Sequence, residues 1–570
     1  MSATIKLAEY LFTRLKQLGV ESVHGVPGDF NLTLLDHVQP SGLHWVGNAN
    51  ELNAGYAADG YARTKGVGAL ITTFGVGELS AINAIAGAYA ERAAVVHIVG
   101  TPERFKQDSR LLVHHTFNDG EYGRFSRMHA EITIAQASLR DPRTSPGQID
   151  EVLRQCILHS RPVYIEVPVD LVGVPVSAEG LSHALRNPDG VPSPASAAAL
   201  AEVLERIYRA KQPALLVDGE TRPLGIGESV QAIVSSTGWP TWLNTFGKGL
   251  VDETGPNVHG VYRGKWDDPA VQKFIGESDL VLCFGPHFSS TNSFGFTSVP
   301  NPQSTILFTD TEVRVGEQVF RDVPAKSILA ELTKALDLSK VKRYEPYPDL
   351  PRDQLSTFSS VSADQPIAHD SVWRILANFL KPGDIVMGET GTAGYGAREM
   401  PLPPHTSFFS PVTWLSIGYM LGAAQGAALA QQELIAASKY HGVEDARTIL
   451  FIGDGSFQMT VQELGTIIRL NLNVIVFLIN NDGYTIERCI HGLKQEYNDV
   501  TSWRYLQAPS FFGAREDTYT AQVRTYGDLE KVLSDPSLNT RKGLKMIEVF
   551  MDREDAPKGP LSDFLQAQKA

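Results

Sequence analysis

The 570-residue chain predicts an α/β protein of three doubly wound domains, each built on a parallel sheet. Three observations predict it. Short apolar, strand-like runs alternate with helix-period segments from end to end. The alternation breaks twice, in stretches rich in Pro, Gly and Ser. Polar, glycine-bearing turns follow two of the apolar runs, where open parallel sheets bind ligands. The length also exceeds what one hydrophobic core sustains. The expected domains are 1–180, 198–345 and 363–570.

Taken in order, the chain opens with a helix. Leu7, Leu11, Leu15 and Leu18 share one face and Gly19 is its stop, a pattern that reads as helix rather than signal peptide. Strands are expected at Ser22–Val26, Ala69–Thr73, Val95–Gly100 and Pro162–Pro168. The stretch from Val174 to Ala198, with Pro188, Pro192 and Pro194, reads as a linker. The second domain carries strands near Ala214–Asp218, Leu280–Gly285 and Thr305–Phe308, and its pattern ends in Tyr344–Ser362, where Pro346, Pro348 and Pro351 break periodicity. The third restarts with Asp384–Met387, Thr448–Gly453 and Asn473–Ile479. The uncharged segment Thr413–Ala430 contains Ser416 and Gln425 and lacks basic flanks, so it reads as a buried helix and not a membrane span. Its Gly418, Gly422 and Gly426 would let another backbone approach closely.

Composition narrows the function. Hydrophobic residues make up 43% and charged residues 20%, a globular mix. The balance of 50 basic against 64 acidic residues, −14 overall, argues against nucleic acid or an anionic membrane as the main partner. Cys156, Cys283 and Cys489 are widely spaced without CxxC, which excludes a disulfide framework and fits a reducing, cytoplasmic compartment.

The chemistry concentrates in Thr448–Gly492. Two apolar strands, ILFIG and VIVFLI, flank one crossover helix, and each ends in a polar turn: Gly453-Asp454-Gly455-Ser456 and Asn480-Asn481-Asp482-Gly483. Either turn alone is an ordinary Asn/Asp/Gly turn. Together, at neighbouring strand ends, they offer an Asp carboxylate, an Asn amide oxygen and a backbone carbonyl, hard oxygen ligands suited to Mg²⁺ beside a diphosphate.

Gly453-Asp454-Gly455, then 24 residues, then Asn480-Asn481, resembles the diphosphate–magnesium motif of thiamine diphosphate enzymes. The resemblance extends over nearly the whole chain and narrows to the fungal pyruvate decarboxylase family. It is carried by VPGDFNLTLLD (26–36), NANELNAGYAADGYAR (48–63), TTFGVGELSA (72–81), VHHT (113–116), ETGT (389–392) and GYTIER (483–488). It implies that Asp454, Asn481 and the Gly483 carbonyl hold Mg²⁺, and that Gly455, Ser456, Tyr484, Thr485 and Ile486 lie against thiamine diphosphate. Thr392, the Leu415 carbonyl, Ser416 and the wedge Ile417 would meet its pyrimidine end. Glu51 would bond pyrimidine N1′ and promote the imino tautomer that deprotonates thiazolium C2; a carboxyl in an apolar pocket has a raised pKa, which suits this. Asp29, His114, His115 and Glu487 would supply protons around a 2-oxo acid losing CO₂, although vicinal histidines on a strand would point opposite ways. Thr291, Thr390, Gly394 and Ile486 would line the substrate pocket.

The sequence also departs from that family. Leu415 stands where glycine is usual, Thr291 where Phe is usual, and Gly394 where Ala or a larger residue is usual. The last two suggest room for bulky 2-oxo acids such as phenylpyruvate. The stretch LLVDGETR (215–222) carries no cysteine where yeast-type enzymes use one for substrate activation, so that route should be absent. Competing readings are an acetolactate synthase-like carboligase and a non-catalytic scaffold or filament subunit. The family further implies a site shared between subunits, hence at least a homodimer and an expected homotetramer.

Overall fold

The apolar runs become parallel strands because they carry no charged residue and bury their few polar side chains with the rest: Gly68–Thr73, Val95–Thr101 and Val474–Asn480 are buried at every residue. The computed structural model describes residues 3–185, 194–540 and 542–569. Pro188 and Pro192 of the expected linker therefore lie outside the described residues. Its ends are not linker: Pro175–Ser177 is a strand pairing antiparallel with Thr4–Lys6, and a helix begins at Pro194.

Three large sheets carry the fold. The first runs, edge to edge, His44–Trp45, Ser22–Gly25, Gly68–Thr73, Val95–Thr101, Val163–Pro168 and Gln136–Ser138, all parallel. The third runs Ser407–Phe409, Ile385–Gly388, Thr448–Gly453, Val474–Asn480, Lys545–Phe550 and Thr520–Val523, also all parallel. Numbered within each sheet, both have the order 2-1-3-4-6-5. The middle sheet runs Val258–Val261, Thr241–Leu243, Pro213–Val217, Leu280–Phe284 and Thr305–Phe308, the order 3-2-1-4-5. Two antiparallel edge strands, Glu312–Val315 and Gln318–Arg321, extend it; the sequence reading had no strand there.

The first and third sheets are coupled by one helix pair. Glu51–Lys65 lies against Tyr419–Ala436, closely enough that a Cβ on Gly60 would fall 2.1 Å from the Ala423 carbonyl oxygen. A Cβ on Gly426 would fall 1.8 Å from the Ala57 carbonyl oxygen, and one on Gly422 2.8 Å from the Tyr56 Cβ. The glycine spacing thus does bring two backbones together, except that Gly418 (φ +85°) sits in the preceding turn against Met459. The helix also starts later than expected, at Tyr419, and residues 413–418 form a loop. Among the described residues no helix is long and apolar enough to cross a membrane.

Gly426→Val should be among the costliest core changes, because the added atoms meet backbone rather than a yielding side chain. Thermal unfolding should show a loss of about 3 kcal/mol or more; an unchanged melting temperature would mean the helix pair is not packed as described.

Candidate active site

The first group of predicted residues assembles where the first sheet ends. Strand Gly68–Thr73 delivers Thr73, and the next helix begins at Val76. A Cβ on Gly28 would meet the Thr73 Cβ at 2.6 Å, which places the turn bearing Asp29 on that side chain. On its other side, a Cβ on Gly77 would stand 3.0 Å from both the Thr73 Cγ2 and the Glu51 Oε1. Glu51 is the first residue of its helix, whose cap is the Asn50 side chain accepting the Asn53 N–H at 2.8 Å. Half-burial raises the Glu51 pKa.

His114 and His115 do not lie on a strand, so they do not point apart. They form a turn in which His115 takes φ +66°, and both Nε2 atoms face Asp29. His114 Nε2 is hydrogen-bonded to Asp29 Oδ2, and His115 Nε2 lies 3.8 Å from Oδ1. Phe30 stacks on His114 at 4.8 Å and meets His115 edge-on at 6.1 Å, fixing both ring planes. The turn is seated by Gly75 (φ +68°), where a Cβ would collide with the His115 carbonyl oxygen at 2.3 Å.

Beneath Gly75 lies Glu78, which the sequence reading passed over. Its Oε1 accepts the Gly75 N–H at 2.8 Å and its Oε2 accepts the Tyr164 hydroxyl at 2.7 Å. Burial pushes the Glu78 carboxyl up to about 8. His129 lies 3.7 Å away and donates Nδ1–H to the Phe125 carbonyl at 2.9 Å, while His97 pairs with Thr72. Burial lowers both imidazole pKa values and raises that of nearby Glu166, so no cation compensates Glu78.

The second group assembles where the third sheet ends. Strands Thr448–Gly453 and Val474–Asn480 are direct neighbours, so Asp454 and Asn481 emerge side by side. Asp454 Oδ1 accepts the Gly455 N–H at 2.8 Å and Oδ2 accepts the Gly483 N–H at 3.0 Å, while burial lifts its pKa to about 6. One end of the Asn481 amide stands 2.9 Å from the Gly483 carbonyl and 3.2 Å from Asp454 Oδ1. With nitrogen there it donates to both; with oxygen there, three oxygens converge. Their spacing is that of one octahedral edge around a cation with bonds of 2.0–2.1 Å, about 2.9 Å. Gly483 (φ +125°) must be glycine, since a Cβ would lie 2.2 Å from the Asn498 carbonyl. The Tyr484 ring packs on Gly455, where a Cβ would fall 2.5 Å from it, and Ser456 and the Thr390 hydroxyl are buried. Thr485 is buried, Ile486 half-buried, and Glu487 exposed with no side-chain partner among the described residues.

Loop 411–418 is held by carboxylates that the sequence did not single out. Glu91 Oε1 accepts three consecutive N–H groups, from Val412 and Thr413 at 2.8 Å and Trp414 at 3.2 Å. Glu389 Oε2 accepts the Met420 N–H at 2.9 Å and Oε1 that of Thr390 at 2.7 Å; burial raises its pKa to about 7. Ser416 Oγ lies 2.8 Å from the Tyr56 hydroxyl and accepts from Asn83 at 2.9 Å, and Ile417 is half-buried. Leu415 sits at φ +58°, a conformation costing a residue with a side chain about 1–2 kcal/mol. The backbone is therefore of the kind glycine favours, although the residue is leucine.

Two expected departures resolve differently. Gly394 does not open the pocket: its Cβ would point 2.7 Å from the Glu389 carbonyl and 2.9 Å from Ser410 Oγ, so packed atoms already take that space. Thr291 is half-buried in a loop tied to 411–418 by Ser289 Oγ donating to the Val412 carbonyl at 2.7 Å. At the cysteine-free stretch, Gly219 packs on the Phe246 ring and Glu220 pairs with Arg92 at 3.3 Å.

Comparison with known proteins follows the same division. Residues 5–121 match the thiamine pyrophosphate enzyme N-terminal TPP binding domain, 200–336 its central domain and 389–549 its C-terminal TPP binding domain. The chain is 57% identical to a pyruvate decarboxylase of Aspergillus parasiticus over 561 residues, 97% of this chain and 96% of that protein. It is 39% identical to pyruvate decarboxylase isozyme 1 of Saccharomyces cerevisiae, covering 97% of each chain. A solved structure described as a thiamin diphosphate-dependent enzyme from Mycobacterium smegmatis superposes with a TM-score of 0.73 at 20% identity, covering 96% of this chain and 99% of that one, a likeness of fold.

The raised Glu78 pKa has a definite sign in stability. The folded chain keeps a proton that the unfolded chain releases near 4.5, so stability present below that pH is lost as pH rises towards about 8. Glu78→Gln, neutral throughout and still able to accept the Gly75 N–H, should flatten that part of the melting temperature–pH curve. An identical slope in the variant would show that Glu78 does not carry the proton.

Proposed function

The chain belongs to the thiamine pyrophosphate-dependent pyruvate decarboxylase family, and from that premise we propose that it splits pyruvate and related 2-oxo acids non-oxidatively into aldehyde and CO₂. The observation that carries the reading is the pairing of chemistries at the sheet ends. The Asp454 carboxylate, the Asn481 amide and the Gly483 carbonyl meet at one, while Glu51 and the Asp29, His114 and His115 group stand beyond the other.

Asp454, Asn481 and the Gly483 carbonyl would hold Mg²⁺, and Gly455, Ser456, Tyr484, Thr485 and Thr390 would line the diphosphate side. When bound, thiamine diphosphate supplies the electron sink that accepts the pair released with CO₂. Glu51 would hold a proton at pyrimidine N1′, which its raised pKa favours. Loop 411–418, clamped by Glu91 and Glu389, would present the Leu415 carbonyl, Ser416 and the Ile417 wedge to the pyrimidine, with Thr392 beside them. Asp29, His114, His115 and Glu487 would deliver the proton that replaces CO₂. That proton supply favours decarboxylation over carboligation. The presence of Glu51, Asp454 and Asn481 speaks against a scaffold without catalysis.

Glu487 touches none of the first-sheet group within one chain, and His114 and Asp29 are 58% and 48% exposed. We assign the complete site to a first domain of one subunit facing the third domain of another, in a homodimer that pairs into a homotetramer. Three buried free cysteines support a reducing cytoplasmic location. Thr291, smaller than the usual Phe, supports acceptance of bulky substrates.

CO₂ release by the Mg²⁺- and cofactor-loaded protein, with pyruvate and phenylpyruvate at matched concentrations, tests the reading. Turnover of at least one is expected, with Glu51→Gln slower by about 10²–10⁴-fold. No release from either would overturn it. Thr291→Phe should cut phenylpyruvate turnover more than pyruvate turnover; equal effects would remove Thr291 as a determinant of substrate size.

A further inference from the structure

Asp29, His114 and His115 have a second chemistry that proton transfer does not exhaust. One ligand atom from each, a carboxylate oxygen and two imidazole nitrogens, lies within 4.8 Å of the others. A tetrahedral site with bonds near 2.0–2.1 Å needs ligand atoms about 3.3 Å apart. The difference is a closure of the Asp29 carboxylate onto the two imidazoles, whose planes Phe30 keeps. Both Nε2 atoms already face the same carboxylate, and the Phe30 ring holds them there. Two imidazoles and one carboxylate on one side of a site leave further positions open.

We propose that Asp29, His114 and His115 form an inhibitory site for a borderline divalent transition cation of the Zn²⁺ class, separate from the Mg²⁺ site. Donor type separates the two. Mg²⁺ demands oxygens and goes to Asp454, Asn481 and Gly483, whereas imidazole suits Zn²⁺, Co²⁺ and Ni²⁺. The bound cation takes the Nε2 lone pairs and the Asp29 carboxylate together, so it withdraws proton-handling groups without disturbing cofactor or fold. The affinity is modest. Neither Nδ1 has a hydrogen-bond partner among the described residues, and a missing outer shell typically costs 10–100-fold. Such a site is empty at trace metal levels and fills as the free cation rises.

This inference depends on the geometry of three side chains, and its first readout is spectroscopic, so it stands or falls apart from the decarboxylase reading. Co²⁺ is the probe, added to the assembled protein at saturating Mg²⁺ and thiamine diphosphate. The expected result is one further Co²⁺ per chain with the visible d–d band of a low-coordinate nitrogen–oxygen site. His114→Gln and His115→Gln should each weaken that binding tenfold or more. His441→Gln, which alters the other stacked histidine pair (His405 and His441, 5.0 Å apart), should leave the band unchanged. Circular dichroism and melting temperature establish that each variant is folded, and Asp29→Asn substitutes for a histidine variant that is not. Zn²⁺ should displace Co²⁺ from the band and reduce CO₂ release in step with occupancy. The proposal is overturned by absence of the band in the wild-type protein, by its survival in the folded His114 and His115 variants, or by its loss in His441→Gln. Full activity with the site filled by Zn²⁺ would equally overturn it. A band in a protein that releases no CO₂ would remove the decarboxylase reading and leave the cation site standing.

Discussion

The arrangement rests on one close crossing of backbones, helix Glu51–Lys65 against Tyr419–Ala436. Glycine at 60, 422 and 426 removes the side chains that would hold the helices apart. Glu51 starts the first of these helices, and the loop with Leu415, Ser416 and Ile417 immediately precedes the second. Fixing the crossing therefore fixes where both functional segments stand within one chain. Within one chain the Asp29 group and Glu487 stay exposed.

Around that crossing the protein uses buried carboxylates as clamps on backbone N–H groups. Glu91 binds three successive amides, Glu389 binds two separated by 30 residues, and Glu78 holds Gly75 from beneath. A buried carboxyl is costly unless its oxygens are satisfied. Each clamp is therefore placed where loop geometry matters more than the energy spent. The raised pKa values of Glu78 and Glu389 follow from burial without a compensating cation. Arg63, by contrast, sits between Asp59 and Glu91 as a buried ion cluster at the base of the same helix pair.

Much of this was legible in the chain, for local reasons. Strands buried on both faces need unbroken apolar runs, and ligand turns at parallel strand ends need Asp, Asn and Gly within a few residues, so Asp454, Asn481 and Gly483 declare themselves. Glu51 and Asp29 do not, because a carboxylate in a turn or at a helix start has ordinary explanations; only resemblance singled them out. Glu91 escaped notice because the backbone amides it binds lie more than 320 residues away. Its signal, like that of Glu78, was an acidic residue stranded in an Ala-, Gly- and Val-rich segment. For the histidine pair the strand period and the family resemblance point opposite ways, and the left-handed turn seated on Gly75 removes the conflict, since both rings face Asp29. Gly394 looked like pocket space because smallness alone cannot distinguish an open wall from close packing.

The two helices that cross at Gly60 and Gly426 also set an order of events during synthesis. Asn48 and Gln425, hydrogen-bonded beside the crossing, are separated by 377 residues. At the usual 5–20 residues per second, the ribosome takes roughly 20–75 s to cover that span. The first domain can close its own sheet well before then, since the antiparallel clasp of Thr4–Lys6 with Pro175–Ser177 lies wholly within it. Its alanine- and glycine-rich helix face, however, stays bare until residue 436 has emerged. The nascent chain thus carries a finished domain with one unpaired surface from residue 177 until residue 436, and the window for wrong association is set largely by the length of the domain in between.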